Sequence, residues 1–551
     1  MKHFLPKTTL TVLSLLGLGG YEARASHAQG GDLRYEYIGN QYSPVRPNLY
    51  KVTCRFFRDC SGVDAPSSMT LNARIGTATT SCASTDSRNF TATLTKQGLP
   101  IYGNQYCATA SGVCTGAGPD NYEENTYTGT VTLAPAQWVL SAEENARPAL
   151  ANLSNVITRT LRFEAVLNNQ LQAGGTTTTL TNSSPNFGST PAVFVAWQRD
   201  ISLNMGAYDA DGDSLAFSLV TPLEGCNMLS PYTSTPAGGT YTLSPGCTAV
   251  MPSTALSATY PLPSAQLTGA CPVFTAAPYF LLDAATGRLR FTPIAYTANT
   301  TPGQGLNKYA LTVKVDEFRR LNGSYQHVGS ARRELFVNVY DCGQNQLPRF
   351  ASTMQVFGQS GPVAVATPIS VRAGAATSVV LTATDANAGQ HITFSANHLG
   401  VPGVSVVQNS ATTLSIEFAP PATLPEGTYY VTVRADDDAC PIKGFEVQTL
   451  AFRVTNTALS SANAQQRPVV SAYPNPFGAS VRFTLARPAR PAAAVLVLDR
   501  LGRVVARLPV PPGPGPDASL TWTPDPALPA GLYLARFPDA PQAVRLLRLT
   551  N

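Results

Sequence analysis

Alternation of apolar and polar residues recurs through most of the chain and predicts a succession of β-strands. Residues 33–38 and 49–57 alternate, and a turn at residues 58–62 follows the second stretch. Residues 127–133 and 157–167 repeat the pattern. A period of two suits a strand with one buried face. We therefore predict a first β-domain over residues 26–189.

A second module is predicted over residues 190–347. Residues 216–220 alternate after an acidic turn, residues 280–293 have a strand, turn and strand pattern, and residues 309–318 and 333–340 alternate again. Residues 224–269 interrupt the module with a long stretch rich in Ser, Thr and Pro. Because long loops rarely keep a shape unaided, we expect this insertion to be a loop tethered by a disulfide.

The remaining chain predicts two further β-sandwiches. Residues 348–457 repeat the pattern of the second module, and residues 424–433 match residues 306–313 in their alternation. A polar spacer over residues 458–470 follows. Residues 471–551 contain short apolar runs separated by Pro and Gly turns, which indicate an antiparallel sandwich of about seven strands. The predicted fold class is all-β, with several β-sandwiches in tandem.

Charge is concentrated at the C-terminal end. Only 13% of the residues are charged, and the net charge is +5. Residues 471–551 contain nine arginines, no lysine and four aspartates, so this segment alone carries a net charge of +5. The rest of the chain is neutral overall. Because a nucleic-acid partner requires a basic face, we predict no nucleic-acid binding.

The N-terminus has the features of a secretory signal peptide over residues 1–25. Lys2 and Lys7 precede an apolar run at residues 10–18, and Ala23-Arg24-Ala25 resembles a small-residue cleavage site. The apolar run is shorter than the roughly twenty residues of a membrane-spanning helix. We expect the mature chain to begin near Ser26 and to be secreted or displayed on the outer cell surface after passing through the periplasm.

Ten cysteines in an exported chain indicate disulfides. We expect short loops closed by Cys54 with Cys60 or by Cys107 with Cys114, and a bridge from Cys226 to Cys247 across the insertion. Connectivity does not follow from sequence alone. Five cysteines precede residue 190, four follow up to residue 350, and Cys440 stands alone, so at least one bridge or free thiol must break a domain-wise pairing.

The acidic turn of the second module is a candidate calcium site. Asp209, Asp211 and Asp213 stand at alternate positions, with Gly212 between the last two. Calcium takes about six to eight oxygen ligands, and an EF-hand loop fails here because position 220 is Val. Asp316 and Glu317 are the candidates for further ligands. The alternative is a solvated turn in which Asp side chains cap the local backbone.

The sequence offers little for catalysis, and we predict that the chain is not an enzyme. It lacks an H-E-x-x-H motif, and residues 358–362 lack the second glycine of a nucleophile elbow. Acid pairs such as Glu143 and Glu144 are common on exposed loops. A secreted hydrolase with a degenerate motif remains the least favoured alternative.

Three motifs near the C-terminus occur in a fixed order. They are Tyr-Pro-Asn-Pro-Phe at residues 473–477, Asp-x-x-Gly-Arg-x-Val from residue 499, and Leu-Pro-Ala-Gly-Leu-Tyr at residues 528–533, followed by a basic and apolar end. This set resembles the type A C-terminal sorting domain of the Bacteroidetes type IX secretion system. The usual Lys near the end is replaced by Arg545 and Arg548. The alternative is an ordinary terminal β-domain.

The resemblance implies partners and site residues. It implies recognition by the type IX secretion machinery, removal of the domain by its sortase, and often attachment of the cargo to lipopolysaccharide. The residues that match the motifs are Pro474, Asn475, Pro476, Asp499, Gly502, Arg503, Gly531, Tyr533, Arg545 and Arg548.

The rest of the chain resembles surface proteins. Residues 209–215 with residues 280–293 resemble cadherin-like or bacterial immunoglobulin-like modules, and residues 26–37 with 52–60 resemble N-terminal modules of Bacteroidetes proteins associated with gliding and adhesion. These likenesses imply an adhesin or a structural surface protein with a glycan or protein ligand. A carbohydrate-binding module protein is the alternative.

Overall fold

The structure is a computed structural model. It describes residues 28–59, 64–103, 105–107, 122–145, 147–154, 159–173, 176–187, 194–298, 305–321, 323–397, 401–456, 470–485, 494–500, 502–510, 518–536 and 543–549. The predicted signal peptide, residues 458–469 of the predicted spacer, and Cys60 and Cys114 lie outside these residues. The chain divides into two compact units, Met1–Thr457 and Ala458–Asn551.

The predicted all-β fold is confirmed. Within the described residues the only helical segments are two 3-10 turns, at Gly39–Gln41 and Ser81–Ala83. None of the described helical segments has the length and apolar character to cross a membrane.

The first part of the chain forms nine described strands, most of which enter one large sheet. They are β1 (Ala28–Tyr37), β2 (Leu49–Asp59), β3 (Ser68–Ile75), β4 (Phe90–Tyr102), β5 (Tyr122–Thr132), β6 (Gln137–Glu144), β7 (Leu161–Asn168), β8 (Gln170–Ala173) and β9 (Thr176–Thr179).

The following part supplies thirteen described strands. They are β10 (Phe194–Ala196), β11 (Ile201–Asn204), β12 (Ser214–Leu219), β13 (Leu223–Gly225), β14 (Met228–Leu229), β15 (Ala237–Ser244), β16 (Cys247–Thr254), β17 (Ala265–Ala270), β18 (Val273–Pro278), β19 (Phe280–Leu282), β20 (Arg288–Phe291), β21 (Lys308–Leu321) and β22 (Ser324–Tyr340).

One sheet joins the two segments on either side of residue 189. Its order is β1-β2-β5-β4-β3-β6-β7-β22-β21-β12, and β1 also pairs with β22, so eight strands close into a ring. One edge of β22 pairs with β21, and the other pairs in turn with β7, β1 and β10. The first predicted domain and the second predicted module therefore share a sheet in the structure.

A glycine allows β1 to approach β22 closely. Gly30 has φ +119°, and a Cβ atom on it would lie 2.0 Å from the carbonyl oxygen of Glu334. Only glycine adopts this conformation without strain. The ring can therefore close at this point.

A three-stranded sheet of order β11-β20-β19 packs on β21 and β22 to form a second core. Fully buried Phe291, Val313 and Leu335 come from both sheets. The insertion differs from prediction, because residues 237–278 form a four-stranded sheet, β15-β16-β18-β17, with its own small core around Ala249 and Met251. Strand pairing, rather than a tether alone, gives this segment its shape.

The third module is a β-sandwich. Its strands are β23 (Arg349–Phe350), β24 (Thr353–Val356), β25 (Val363–Ala364), β26 (Ile369–Arg372), β27 (Thr377–Thr384), β28 (Thr393–Asn397), β29 (Val404–Gln408), β30 (Thr413–Phe418), β31 (Gly427–Asp436) and β32 (Phe445–Thr455). One sheet has the order β25-β24-β27-β30-β29 with β23 beside β27, and the other has the order β26-β32-β31-β28. Ile416 and Phe418 face Val431 and Phe452 across the core.

The C-terminal unit confirms the predicted seven-stranded sandwich within its described residues. The strands are β33 (Val470–Tyr473), β34 (Val481–Leu485), β35 (Ala494–Leu498), β36 (Val504–Pro509), β37 (Ala518–Trp522), β38 (Gly531–Arg536) and β39 (Val544–Arg548). The sheet β33-β34-β37 faces the sheet β36-β35-β38-β39. Phe477, Phe483, Val497, Trp522 and Tyr533 fill the core.

A row of three charged side chains is buried where the ring closes. Arg55, Asp32 and Arg333 lie opposite one another on β2, β1 and β22. Asp32 Oδ2 accepts hydrogen bonds from Arg55 Nη2 at 2.8 Å and from Arg333 Nε at 2.9 Å. Burial alone would raise the pKa of Asp32, but the two guanidinium groups outweigh it and lower the pKa below its usual value.

The disulfide prediction is confirmed in kind and wrong in every pairing that it named. The described residues contain Cys82–Cys226, Cys107–Cys440 and Cys247–Cys271, whose Cα atoms are 5.6, 5.1 and 5.1 Å apart. Cys54 is a buried free thiol in the core of the ring. Folding brings cysteines together that are 144 and 333 positions apart, so sequence proximity was a poor guide.

Peptide mapping without reduction tests this connectivity. We expect cross-linked peptides for the three pairs above and an alkylatable thiol at Cys54 after unfolding. Reduced protein digested in parallel is the control. A peptide that links Cys107 to Cys114 or Cys226 to Cys247 would contradict the structure.

Substitution of Arg333 tests the buried row. Arg333→Ala leaves Asp32 buried with a single guanidinium partner, so the free energy of unfolding should fall by about 3–5 kcal/mol. Urea denaturation measures this change. Arg88→Ala is the control, because Arg88 pairs with Asp86 in an exposed position and its loss should alter the urea midpoint little. Equal effects of the two substitutions would contradict a special role for the row.

Candidate functional site

The acidic turn forms a compact loop that its own side chain organises. Asp209 Oδ1 accepts hydrogen bonds from the backbone N–H groups of Asp211 and Asp213, each at 2.9 Å. Gly212 between them has φ +79°, which favours glycine. Carboxylate oxygens of Asp209, Asp211 and Asp213 lie within 4.8 Å of one another. The loop therefore gathers three acidic side chains, as the sequence predicted.

Strand β21 adds one of its two candidate ligands to this cluster and directs the other away. Glu317 is fully buried, and burial together with the nearby Asp209 charge raises the pKa of its carboxyl group. Asp316 instead bonds His327 Nε2 at 2.8 Å and Lys314 Nζ at 2.7 Å. Consecutive residues of a strand point to opposite faces, so only one of them can join the loop.

Two residues that the sequence did not single out hold Glu317. Its Oε1 accepts a hydrogen bond from Tyr35 Oη at 3.0 Å and another from the side-chain amide of Asn182. Both partners come from the first part of the chain, more than 130 positions away. No local pattern in the sequence marks them.

The cluster keeps two buried carboxylate oxygens without a hydrogen-bond partner among the described residues. They are Oδ2 of Asp209 and Oε2 of Glu317. Burial raises the pKa of Asp209 to about 6, and burial together with the Asp209 charge raises the pKa of Glu317 well above its usual value. Buried carboxylates in this state favour either a shared proton or a bound cation.

Arg319 neutralises part of the cluster. It donates to both oxygens of Asp213, at 2.8 and 2.7 Å, and lies 3.3 Å from Asp211. The remaining acidic oxygens are hard ligands of the kind that Ca²⁺ prefers. Asp209, Asp211 and Asp213 could hold a calcium ion, Glu317 could add a ligand from beside Asp209, and Asp316 lies apart from the set.

The acidic loop also touches other parts of its unit. The backbone N–H of Ser183 donates to Asp211 at 2.6 Å. A Cβ atom on Gly212 would lie 3.1 Å from the side chain of Pro425 and 3.7 Å from the hydroxyl of Tyr429. The loop consequently lies at the junction between the second and third modules.

In the C-terminal unit, Asn475 stands between Pro474 and Pro476 and pairs with the last strand. Its side-chain amide donates to the carbonyl of Arg545 at 2.7 Å and accepts from the N–H of Leu547 at 2.9 Å. Proline has no N–H to donate. The Asn side chain thus supplies the sheet hydrogen bonds that the two prolines cannot.

The second motif closes a turn. Asp499 accepts hydrogen bonds from the backbone N–H of Arg503 at 3.0 Å and from its guanidinium at 2.7 Å. Gly502 has φ +79° and donates to the Asp499 carbonyl at 2.9 Å. Asp499, Gly502 and Arg503 of this motif therefore each have a structural role.

The third motif contains a tyrosine corner. Tyr533 Oη donates to the carbonyl of Pro529 at 2.6 Å, and in the third module Tyr429 Oη donates to the carbonyl of Pro425 at 2.8 Å. Both tyrosines belong to a Leu-Pro-x-Gly-x-Tyr sequence. Such corners are typical of immunoglobulin-like sandwiches. The immunoglobulin-like character that the sequence predicted is confirmed.

The second and third motifs border one groove. A cavity of about 830 Å³ is lined by Asp499, Arg500 and Arg503 on one side and by residues 528–533 on the other. Val504 and Leu532 at this groove are 44% and 47% exposed. Arg545 lies on β39, and Arg548 on the same strand donates to the carbonyls of Asp525 and Leu528.

No family model matches the sequence, and no curated protein matches it. Among solved structures, dimeric latent PorU from Porphyromonas gingivalis is similar at 12% identity and TM-score 0.16, over 67% of this chain and 32% of that chain. Titin domains A168–A170 match at 10% identity and TM-score 0.14, over 66% and 99%. An endo-fucoidan hydrolase of glycoside hydrolase family 107 matches at 14% identity and TM-score 0.15, over 67% and 40%.

This chain spans about a third of the PorU chain that it matches. The sheets and cores of the chain itself show the tandem β-sandwiches.

Proposed function

We propose that the chain is a non-catalytic surface protein, an adhesin or structural interaction protein, exported through the type IX secretion system. The observation that carries the export proposal is the meeting of two separate motifs at one groove of the C-terminal unit. Recognition by a secretion machine requires an accessible surface, and folding alone does not require the motifs to share one.

Exposed apolar residues at the groove support recognition by another protein. Val504 and Leu532 line the groove, and the two are 44% and 47% exposed. Their exposure contributes nothing to the core of the sandwich. Arg500 and Arg503 add positive charge beside them. The proposed partners are the secretion machinery and its sortase, followed by lipopolysaccharide as the anchor of the cargo.

Deletion of residues 471–551 in the native host tests the export proposal. We expect the truncated chain to stay in the periplasm as a folded, disulfide-bonded protein, because the two units have separate cores. Cell fractionation and surface proteolysis locate the product. Normal appearance of the truncated chain at the surface would contradict the proposal.

A point substitution in the same assay locates the recognition surface. Leu532→Asp should reduce surface display severalfold without unfolding the unit. Leu549→Asp is the matched control, since Leu549 is 51% exposed and does not line the groove. Equal effects of the two changes would argue against recognition at the groove.

The acidic cluster supports a second part of the proposal, a Ca²⁺ ion that stiffens the junction of the second and third modules. Asp209, Asp211, Asp213 and Glu317 would hold the ion. When the cation binds, Arg319 would lose some of its hydrogen bonds and ion pairs with Asp213 and Asp211. Because the loop contacts Pro425 and Tyr429, fixing the loop restrains both modules.

Thermal unfolding with and without calcium tests this site. Millimolar Ca²⁺ should raise Tm by roughly 2–5 °C relative to chelator, because binding to the folded state alone stabilises it. Glu317→Gln should abolish the rise. The matched control Asp316→Asn should retain it, since Asp316 faces His327 and Lys314. An unchanged Tm of the native chain, or loss of the rise in both variants, would contradict the site.

A further inference from the structure

A cleft lies within the first unit where the second module meets the third. Its volume is about 560 Å³, and its walls are formed by β12, the end of β21, the start of β22 and the start of β31. Five aromatic side chains line it: Tyr208, Phe318, Tyr325, Tyr429 and Tyr430. Clefts of this size between modules are the usual location of small-ligand sites.

The aromatic walls combine rigid and accessible rings. Tyr429 is buried and held by its hydrogen bond to Pro425, and Tyr208 lies 6.1 Å from it, ring to ring. Tyr325 is 62% exposed at the hairpin end, opposite Arg320 on β21. An exposed tyrosine beside a cleft presents a flat apolar face to a ligand at little cost in ordering.

Polar groups complete the lining. Asp213 and Glu426 contribute carboxylates, and Arg320 contributes a guanidinium group. Asp209 also borders the cleft from the acidic cluster. Without a bound cation, the three acidic residues outnumber the one basic residue in the lining, so the cleft repels anionic ligands.

We propose that this cleft binds a neutral oligosaccharide. A pyranose ring has an apolar C–H face that stacks on Tyr325 and hydroxyl groups that donate to carboxylates or accept from Arg320. When no cation occupies the acidic cluster, the acidic lining disfavours uronic acids and sulfated sugars. This inference rests on the proposed surface role and assigns it a ligand class and a place.

The site follows from the tertiary structure rather than from any local motif. Phe318 and Tyr325 come from the β21–β22 hairpin, whereas Tyr429 and Tyr430 come from the third module. Neither module alone encloses the cleft. Relative movement of the two modules would therefore open or close the ligand site.

Binding of the purified full-length chain to immobilised glycans in the presence of chelator tests the proposal. The probes are neutral β-glucan, mannan and xylan oligosaccharides, with alginate and fucoidan oligosaccharides as the anionic set. We expect binding to at least one neutral series and none to the anionic set. Isothermal titration calorimetry with each oligosaccharide that binds then measures its affinity for the chain.

Tyr325→Ala should weaken that affinity about tenfold, because it removes one stacking surface. Thr428→Trp should abolish binding by filling the cleft, since Thr428 is an exposed lining residue. Phe357→Ala is the matched control, as Phe357 is 81% exposed and does not line the cleft. Circular dichroism of each variant checks that it is folded.

Three results would overturn the inference: no binding to any neutral series, preference for the anionic set, or equal affinity of native chain, Tyr325→Ala and Thr428→Trp. Surface display of the native chain is measured separately. Loss of glycan binding with normal display refutes the cleft alone, whereas failure of display refutes the export proposal alone.

Discussion

The largest part of the structure depends on one buried interaction, in which the carboxylate of Asp32 pairs with the guanidinium groups of Arg55 and Arg333. A buried charge is tolerated only when it is paired, and here the partners lie directly opposite on the neighbouring strands. A slip of one residue would turn Asp32 to the other face, away from the guanidinium groups of Arg55 and Arg333. The row thereby fixes the register of β1 against β22 and closes the ring.

The position of β22 carries this constraint to the candidate sites. β22 pairs with β21 along its length, so the register of the hairpin sets where Glu317, Arg319 and Phe318 lie. Tyr35, on the same strand as Asp32, then reaches Glu317. The geometry of the acidic cluster and of the cleft beside it therefore depends on a salt bridge elsewhere in the sheet. A module excised at residue 190 would lose Tyr35 and Asn182 and with them the support of the cluster.

Alternation in the sequence was sufficient to predict the all-β fold, the strand pair around residues 280–293 and the C-terminal sandwich, because these are local consequences of one-sided burial. Alternation could not show which of Asp316 and Glu317 points to the acidic loop, because that depends on which face of β21 the loop packs against. It also missed the sheet over residues 237–278, whose Thr, Ser and Gly content is typical of loops and of exposed strands alike. The predicted disulfide pairings were wrong for a related reason, because Cys107 and Cys440 become neighbours only after folding.

The tyrosine corner occurs twice in the chain, and this repetition shows which residues of the C-terminal motifs serve the fold and which are left for recognition. Residues 424–429 and 528–533 share Leu-Pro-x-Gly-x-Tyr and the same hydrogen bond, although only the second occurs in the unit that resembles a sorting domain. Tyr533 is therefore explained by the sandwich fold itself, and Asp499 and Gly502 by their turn. A recognition signal must therefore depend on the exposed side chains that the turn and the tyrosine corner hold in place. The exposed Leu532 beside Arg503 is such a feature, and the third module does not reproduce it.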